Sequence, residues 1–255
     1  MIDNCFDVTE KIALVTGASG GLGEHFARTL AAHGARVALC ARRTDNLTAI
    51  AADIESAGGK ALAVAMDVSD ETSVREALDA VEAGFGVPHI LVNNAGIART
   101  ERFLDITPEA WQRTLDVNLT GVFRVGQAVA RRMAASEQGG SIINIASLLA
   151  FVVQPTQAAY ASTKAAVVHL TSSMARELGR NGIRVNAIAP GYFVSDMNRA
   201  FFESPAGAEL AKQLFPRRTG DLRELDGPLL LLASQASSYM TGVTVQVDGG
   251  TRLAM

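Results

Sequence analysis

Tyr160 and Lys164 stand four residues apart in the stretch Tyr160-Ala161-Ser162-Thr163-Lys164 of a 255-residue chain. In a helix that spacing puts both side chains on one face. A free phenol titrates near about 10, too high for an efficient base at neutral pH. An ammonium beside it favours the phenolate and lowers that value, the direction proton transfer requires. Upstream, Asn144-Ile145-Ala146-Ser147 ends an apolar run, and the Ser147 hydroxyl there could hold a substrate oxygen. Taken singly, each signal is weak. Many helices contain Tyr-x3-Lys, and Ser147 alone reads better as a turn or helix cap. Asn118, in Asp116-Val117-Asn118-Leu119, lies inside a helical pattern that asparagine mildly disfavours. Such a residue is either exposed or held for a site role.

A second cluster could bind phosphate. Thr16-Gly17-Ala18-Ser19-Gly20-Gly21-Leu22-Gly23 follows an apolar run and precedes a helical pattern. Glycines let the backbone turn tightly and approach a ligand. The start of the following helix would aim free N–H groups and its positive dipole end at an anion. The spacing is Gly-x3-Gly-x-Gly, distinct from GxGxxG, and it lacks the Gly-Lys-Ser/Thr of nucleotide-hydrolysing loops. The next apolar run ends in Cys40-Ala41-Arg42-Arg43. No acid stands there to hold a ribose 2′-hydroxyl, whereas Arg42 and Arg43 suit a 2′-phosphate. NADP(H) is therefore expected in preference to NAD(H), which stays open; solvated loop charges are the alternative. Asp67-Val68 could receive the adenine, the carboxylate accepting from its amino group and Val68 lying against the ring. Helix capping is the competing role, for which Ser69 and Asp70 are better placed. Asn94, Ala95 and Gly96, within Asn93-Asn94-Ala95-Gly96, are small or amide residues that would line a cofactor groove or form a simple turn.

These residues need a scaffold. Apolar, β-branched runs at 12–16, 36–41, 61–66, 90–93, 141–146, 184–189 and 243–247 alternate with helical patterns at 22–33, 45–57, 71–83, 109–135, 157–181 and 222–233. The runs are apolar on both faces, as in strands covered on both sides. The predicted fold class is α/β: a doubly wound, seven-stranded parallel sheet with helices on both faces. The length suits one domain over 1–255. Ligands then belong at the carboxyl edge of the strands. Residues 192–218, with Phe201, Phe202, Pro205, Gly207 and Pro216, interrupt the rhythm and read as one or two short helices of a substrate lid.

Composition excludes several classes. Apolar residues make up 48%, charged residues 19%, and the net charge is −3. No basic run exceeds two residues, so nucleic acid is not an expected partner. Cys5 and Cys40 offer no metal-ligand spacing and no disulfide framework, and Cys40 reads as a buried thiol. Residues 1–10 are acidic without an apolar signal core, and 229–233 is too short to span a bilayer. A soluble, cytoplasmic setting without membrane or metal is the expectation.

In order and separation, the segments 16–23, Asp67, 93–96, Asn118, Ser147, Tyr160/Lys164, Pro190-Gly191 and Val247-Asp248-Gly249-Gly250 resemble the short-chain dehydrogenase/reductase family. The resemblance runs from Lys11 to Gly250 and is to its compact single-domain kind, which includes 3-oxoacyl-ACP reductases. It implies a Rossmann fold and hydride transfer between a nicotinamide cofactor and a ketone or secondary alcohol. By this resemblance Tyr160 is the general acid/base. Lys164 holds the nicotinamide ribose and tunes Tyr160. Ser147 polarises the carbonyl, and Asn118 supports a water-linked proton relay through Lys164. Pro190, Gly191, Phe193 and Ser195 seat the carboxamide, Ser195 standing where the family often has threonine. The resemblance also implies a homotetramer paired through the helices near 109–135 and 157–181, where Ala165, Ala166, Val168 and Leu170 fit a buried face. The uncharged stretch 148–153, with Phe201, Phe202 and Leu214, points to a mainly apolar substrate pocket. A 3-oxoacyl thioester and a simpler ketone or alcohol both fit it. Arg199, Arg217 and Arg218 could meet an acidic carrier or a carboxylate, but read better as solvated lid charges. A non-catalytic cofactor sensor would be expected to lose Ser147, Tyr160 or Lys164. A dehydratase or epimerase on this scaffold usually carries a longer C-terminal domain than the few residues after Gly250.

Overall fold

The computed structural model describes residues 5–195 and 198–254. Residues 1–4 of the acidic N-terminus, 196–197 of the expected lid, and Met255 lie outside the described residues. Strands β1 (Ile12–Thr16), β2 (Arg36–Ala41), β3 (Lys60–Ala65), β4 (Ile90–Asn93), β5 (Gly140–Ile145), β6 (Ile183–Pro190) and β7 (Thr244–Val247) pair in the order β3-β2-β1-β4-β5-β6-β7, all parallel. This is the Rossmann-type sheet expected. The order reverses between β1 and β4, so a crevice opens beyond their carboxyl ends.

Helices α1 (Gly21–Ala32), α2 (Thr44–Ser56), α3 (Glu71–Gly84), α4 (Pro108–Leu115), α5 (Gly121–Ala135), α6 (Ala158–Leu178), α7 (Arg199–Phe202), α8 (Pro205–Gln213) and α9 (Asp226–Ala233) fill the connections. One core layer joins the sheet to α1, α2 and α9 through Phe26, Leu30, Leu47, Leu229 and Leu232. The other joins it to α3, α5 and α6 through Leu78, Val125, Val129, Met133 and Ala175. Every residue of β1 is buried, as a strand covered on both faces must be. Cys40 is likewise buried, and burial pushes its thiol up to about 12.

The observed strands differ from the sequence expectation at their ends. β3 and β5 each begin and end one residue early. Met66 and Ala146 stay buried past the ladder because they line the crevice floor. The continuous helix expected over 109–135 is broken. Asp116–Thr120 forms a π-helical turn, closed by the Gly121 N–H donating to Asp116 O. Such a turn lodges one extra residue in a helix and is common at functional sites. Gly121 must be small here, since a Cβ would fall 2.8 Å from Val68 Cγ2. The 157–181 pattern ends as α6 at Leu178 and continues as a 3-10 turn. The buried side of α6 is Thr163, Lys164, Val167, Thr171 and Ala175, at the spacing of one helix face. Ala165 is exposed, and Ala166, Val168 and Leu170 are only half-buried.

After β6 the chain makes the two short helices α7 and α8. Ser204 Oγ caps α8 by accepting from Gly207 N–H, with Pro205 in the first turn. No described helix is long and apolar enough to cross a membrane. No cluster of His, Cys, Asp and Glu among the described residues could hold a metal ion.

Candidate active site

A groove of about 410 Å³ runs along the carboxyl edge of the sheet. Every residue expected at the cofactor lines it, from the glycine loop through Arg42, Asp67 and Gly96 to Ser195, together with Ser147, Tyr160 and Lys164. Asn118 does not line it and lies behind the wall.

The glycine loop is held against the segment that follows β4 by side-chain bonds. Asn94 Nδ2 donates to Thr16 O at 3.0 Å and to Gly17 O at 3.4 Å. Thr16 Oγ1 accepts from the N–H groups of Asn94 and Ala95, both at 3.0 Å. Two positions tolerate only glycine. Gly17 has φ +67, in the left-handed region, and a Cβ on Gly23 would fall 2.2 Å from Gly17 O. The first turn of α1 therefore opens onto a bare backbone cradle, which fits a pyrophosphate.

The two arginines after β2 are not equivalent. Arg43 spends donors on the loop, Nε to Ser19 Oγ and Nη2 to Ser19 O, both at 3.1 Å, and Asn46 Nδ2 adds a second bond to Ser19 O. Arg42 faces the groove with only a distant carboxylate, Asp67 Oδ2 at 3.9 Å. Arg42 is thus the freer cation for a 2′-phosphate, and Arg43 is a latch on Ser19. Asp67 accepts from Ser69 N–H and Oγ through one oxygen. Partial burial works against its ionisation, but the Ser69 bonds and the charges of Arg42 and Arg113 outweigh it, and its pKa is lowered. The helix cap nearby is Asp70, which accepts from Thr72 and Ser73.

At the other end of the groove, Ser147, Tyr160 and Lys164 come together. Ser147 is buried, and its Oγ accepts from Leu149 N–H at 3.1 Å. Both Ser147 and Tyr160 line the groove here. Lys164 is 3% exposed; its Nζ donates to Ile145 O at 2.7 Å and lies 5.6 Å from the Tyr160 ring centroid. Burial raises the Tyr160 pKa, and the Ser147 side chain offsets this in part. This reverses the direction expected from the Tyr-x3-Lys spacing. The ammonium is aimed at a backbone carbonyl, and Lys164 is itself pulled down to about 8 by burial.

Asn118 is fully buried. Its Oδ1 accepts from Ile97 N–H and its Nδ2 donates to Ile97 O, both at 2.8 Å, with a longer bond to Thr163 Oγ1. It thereby pins the chain just past Gly96. A Cβ on Gly96 would stand 3.5 Å from Asn118 Oδ1 and 3.7 Å from Lys164 Nζ, so the two polar groups border one small space. Beyond β6, Gly191 packs on Asp248, Phe193 packs on Gly220, and Ser195 N–H donates to Asn198 Oδ1.

Several supporting residues escaped sequence reading. Arg124 donates to Val68 O at 2.7 Å and Arg113 to Ser69 Oγ at 3.1 Å, fixing the Asp67–Ser69 turn from α5 and α4. A buried chain of amides runs beneath the site: Asn93 Nδ2 donates to Asn144 Oδ1 at 3.0 Å and Asn144 Nδ2 to Thr171 Oγ1 at 2.9 Å. Polar residues inside apolar runs were the available signal, since buried amides must find partners.

Comparison with known proteins agrees with this fold. The short chain dehydrogenase family matches residues 11–206. The chain is 37% identical to gluconate 5-dehydrogenase of Gluconobacter oxydans, covering 98% of each. It is 40% identical to the 3-oxoacyl-[acyl-carrier-protein] reductase of Escherichia coli, covering 94% of this chain and 96% of the relative. A gluconate 5-dehydrogenase from Burkholderia cenocepacia, solved in complex with NADP and tartrate, superposes with a TM-score of 0.94 at 40% identity over 99% of both chains. The chain belongs to the short-chain dehydrogenase family of NAD(P)-dependent oxidoreductases.

Proposed function

We propose that the protein interconverts a ketone and a secondary alcohol with NADP(H), with Tyr160 as the general acid/base. The observation that carries this reading is the meeting of Ser147, Tyr160 and Lys164 at one end of a phosphate-fitting groove, with Lys164 buried 5.6 Å from the Tyr160 ring centroid. The bound nicotinamide supplies or accepts the hydride. The start of α1 and the bare backbone at Gly17 and Gly23 bind the pyrophosphate. Arg42 meets the 2′-phosphate, and Asp67 and Val68 meet the adenine. Lys164 holds the nicotinamide ribose, while Pro190, Gly191, Phe193 and Ser195 seat the carboxamide. Ser147 donates to the carbonyl oxygen as negative charge develops there. Tyr160 gives that oxygen its proton in reduction and removes it in oxidation. The space at Gly96, bordered by Asn118 and Lys164, suits the water of a proton relay. Residues 192–218 serve as the lid over a single domain. The half-buried Ala166, Val168 and Leu170 and the exposed Phe123 support pairing of α5 and α6 between subunits of a homotetramer.

The NADP bound to the Burkholderia relative supports the phosphorylated cofactor. Arg42→Ala is expected to weaken NADPH binding by about 10- to 100-fold, the worth of a hydrogen bond to a charged group. NADH binding should change little. Fluorescence titration of both cofactors checks this, and equal losses for the two would overturn the assignment of Arg42.

Ser147→Ala tests the mechanism. Loss of one donor to the developing oxyanion should lower kcat by about 10²- to 10³-fold. It also removes the side chain that lowers the Tyr160 pKa. The residual alcohol oxidation, which needs the phenolate, should then require higher pH than in wild type. Unmoved pH–rate profiles with undiminished kcat would sink the Ser147–Tyr160 pairing as the reaction centre.

A further inference from the structure

Ser147 and Tyr160 meet at the reacting end of the groove but stand on different elements. Ser147 caps the 3-10 turn Leu148–Ala150, and Tyr160 lies in the first turn of α6. Residues 151–157 join the two. The start of α6 has no side-chain cap, since Gln157 stands at the N-cap position without such a bond. The first N–H groups of a helix have no partner within it, and helix ends fray. Where Tyr160 sits therefore depends on how residues 151–157 are held.

Bonds on both flanks hold them. On one side, Glu101 N–H donates to Thr156 O at 3.0 Å and Gln157 Nε2 donates to Thr100 Oγ1 at 3.2 Å. Both partners belong to the segment that follows β4. On the other side, the Tyr192 hydroxyl donates to Gln154 Oε1 at 2.9 Å. Tyr192 directly follows Gly191 of the groove wall, and it is itself anchored. Its carbonyl accepts from Gly220 N–H at 2.8 Å, and its ring meets Phe202 of α7 edge-on with centroids 6.0 Å apart. Burial raises the Tyr192 pKa, so the hydroxyl keeps its proton and stays a donor at neutral pH. Between the two flanks, Thr156 has φ +68. A β-branched residue keeps that conformation only where its surroundings impose it.

We propose that Tyr192 is a positioning residue for the reaction: its bond to Gln154 braces the connection between Ser147 and Tyr160 against the chain leaving β6, and so keeps both groups in register on one substrate oxygen. Gln154 is the midpoint of residues 151–157. The bonds at Thr156 and Gln157 fix the end of the connection, and Tyr192 fixes its middle. Tyr192 acts through Gln154 rather than on the substrate. Through Phe202 the same ring ties the reacting groups to the first short helix after β6. This proposal rests on the roles assigned to Ser147 and Tyr160.

Tyr192→Phe tests this, since it deletes the hydroxyl and keeps the ring against Phe202. Reduction of the small diketone diacetyl by the full-length protein, counted per NADPH bound, should fall in kcat by about 10- to 100-fold, the effect of displacing a reacting group by about 1 Å. The KM for NADPH should change by less than about threefold, because the cofactor contacts are untouched. Gln154→Met, which removes the acceptor at similar size, should lose as much. The double variant should lose no more than either single change, since one bond serves both. Gln154→Glu keeps an acceptor oxygen and should stay within about threefold of wild type. Amide hydrogen exchange gives a readout independent of substrate. In Tyr192→Phe, peptides spanning 151–161 should exchange about tenfold faster, and those of β1 and the glycine loop at wild-type rates. Wild-type exchange in Tyr192→Phe overturns the brace, as do losses in the double variant that multiply those of the single changes. Full activity of Tyr192→Phe where Tyr160→Phe is inactive overturns the brace alone, whereas turnover surviving in Tyr160→Phe counts against the Tyr160 reading. Were diacetyl not reduced by wild type, the exchange rates decide.

Discussion

Replacing Tyr160 with phenylalanine is expected to lower kcat/KM by about 10³- to 10⁴-fold while NADPH binds as it does to wild type. The change deletes one oxygen. The ring, half-buried at the end of the groove, remains to fill its place. The Lys164 bond to Ile145 O does not depend on the phenol, so the ribose end of the cofactor site should survive. What is lost is proton transfer to the developing alkoxide, worth up to about 10⁴-fold for a positioned acid. Steady-state NADPH absorbance measures the first quantity and fluorescence titration the second. Turnover within tenfold of wild type would remove Tyr160 from the mechanism.

The second large effect concerns stability and runs through Lys164. Burial pulls its ammonium down to about 8 from 10.5 in the folded protein. Between those values the unfolded chain holds the proton and the folded chain has released it. Stability therefore rises with pH across this window. Below pH 8 both states are charged, and the folded state bears the full desolvation cost. The gap corresponds to about 3 kcal/mol. Lys164→Met has no such titration. Wild type should therefore gain up to about 3 kcal/mol relative to the variant between pH 8 and 10.5, read from urea unfolding at both ends of the window. Parallel stability profiles would show that Lys164 is not desolvated. Near neutral pH the fold thus carries a destabilising buried charge, as expected where a site needs a cation more than stability.

The scaffold was largely legible because parallel strands buried on both faces write themselves as continuous apolar runs. β1, β2 and β4 match those runs at both ends. The groove lining was legible for a related reason. Glycines at 17 and 23 and small residues at 95 and 96 answer to backbone approach, which depends on residue type alone. Three features were not legible. The π-helical turn at Asp116–Thr120 adds one residue to a pattern whose apolar positions hardly register it. The Tyr160 pKa direction depends on where a flexible four-carbon side chain ends, and spacing sets only the face it leaves from. The separate duties of Arg42 and Arg43 follow from Ser19, a contact across more than twenty residues. The bond from Tyr192 to Gln154 is more remote still. No local pattern announces it.

The buried amides beneath the site have a consequence for how the chain chooses its alignment. Asn93 and Asn144 are direct partners in the β4–β5 ladder, and Asn144 is held in turn by Thr171 of α6. Apart from Ser141, which bonds Leu232 O, the rest of this ladder is aliphatic, and one aliphatic pairing is nearly as good as the next. A slip by a single residue would turn Asn144 to the opposite face. It would leave amide groups buried without partners, at about 1–3 kcal/mol each. The amides act as a key that admits one alignment of β5 and refuses its neighbours. Ser147 follows Asn144 by three residues, so the position of its hydroxyl is decided in the core, before any ligand arrives.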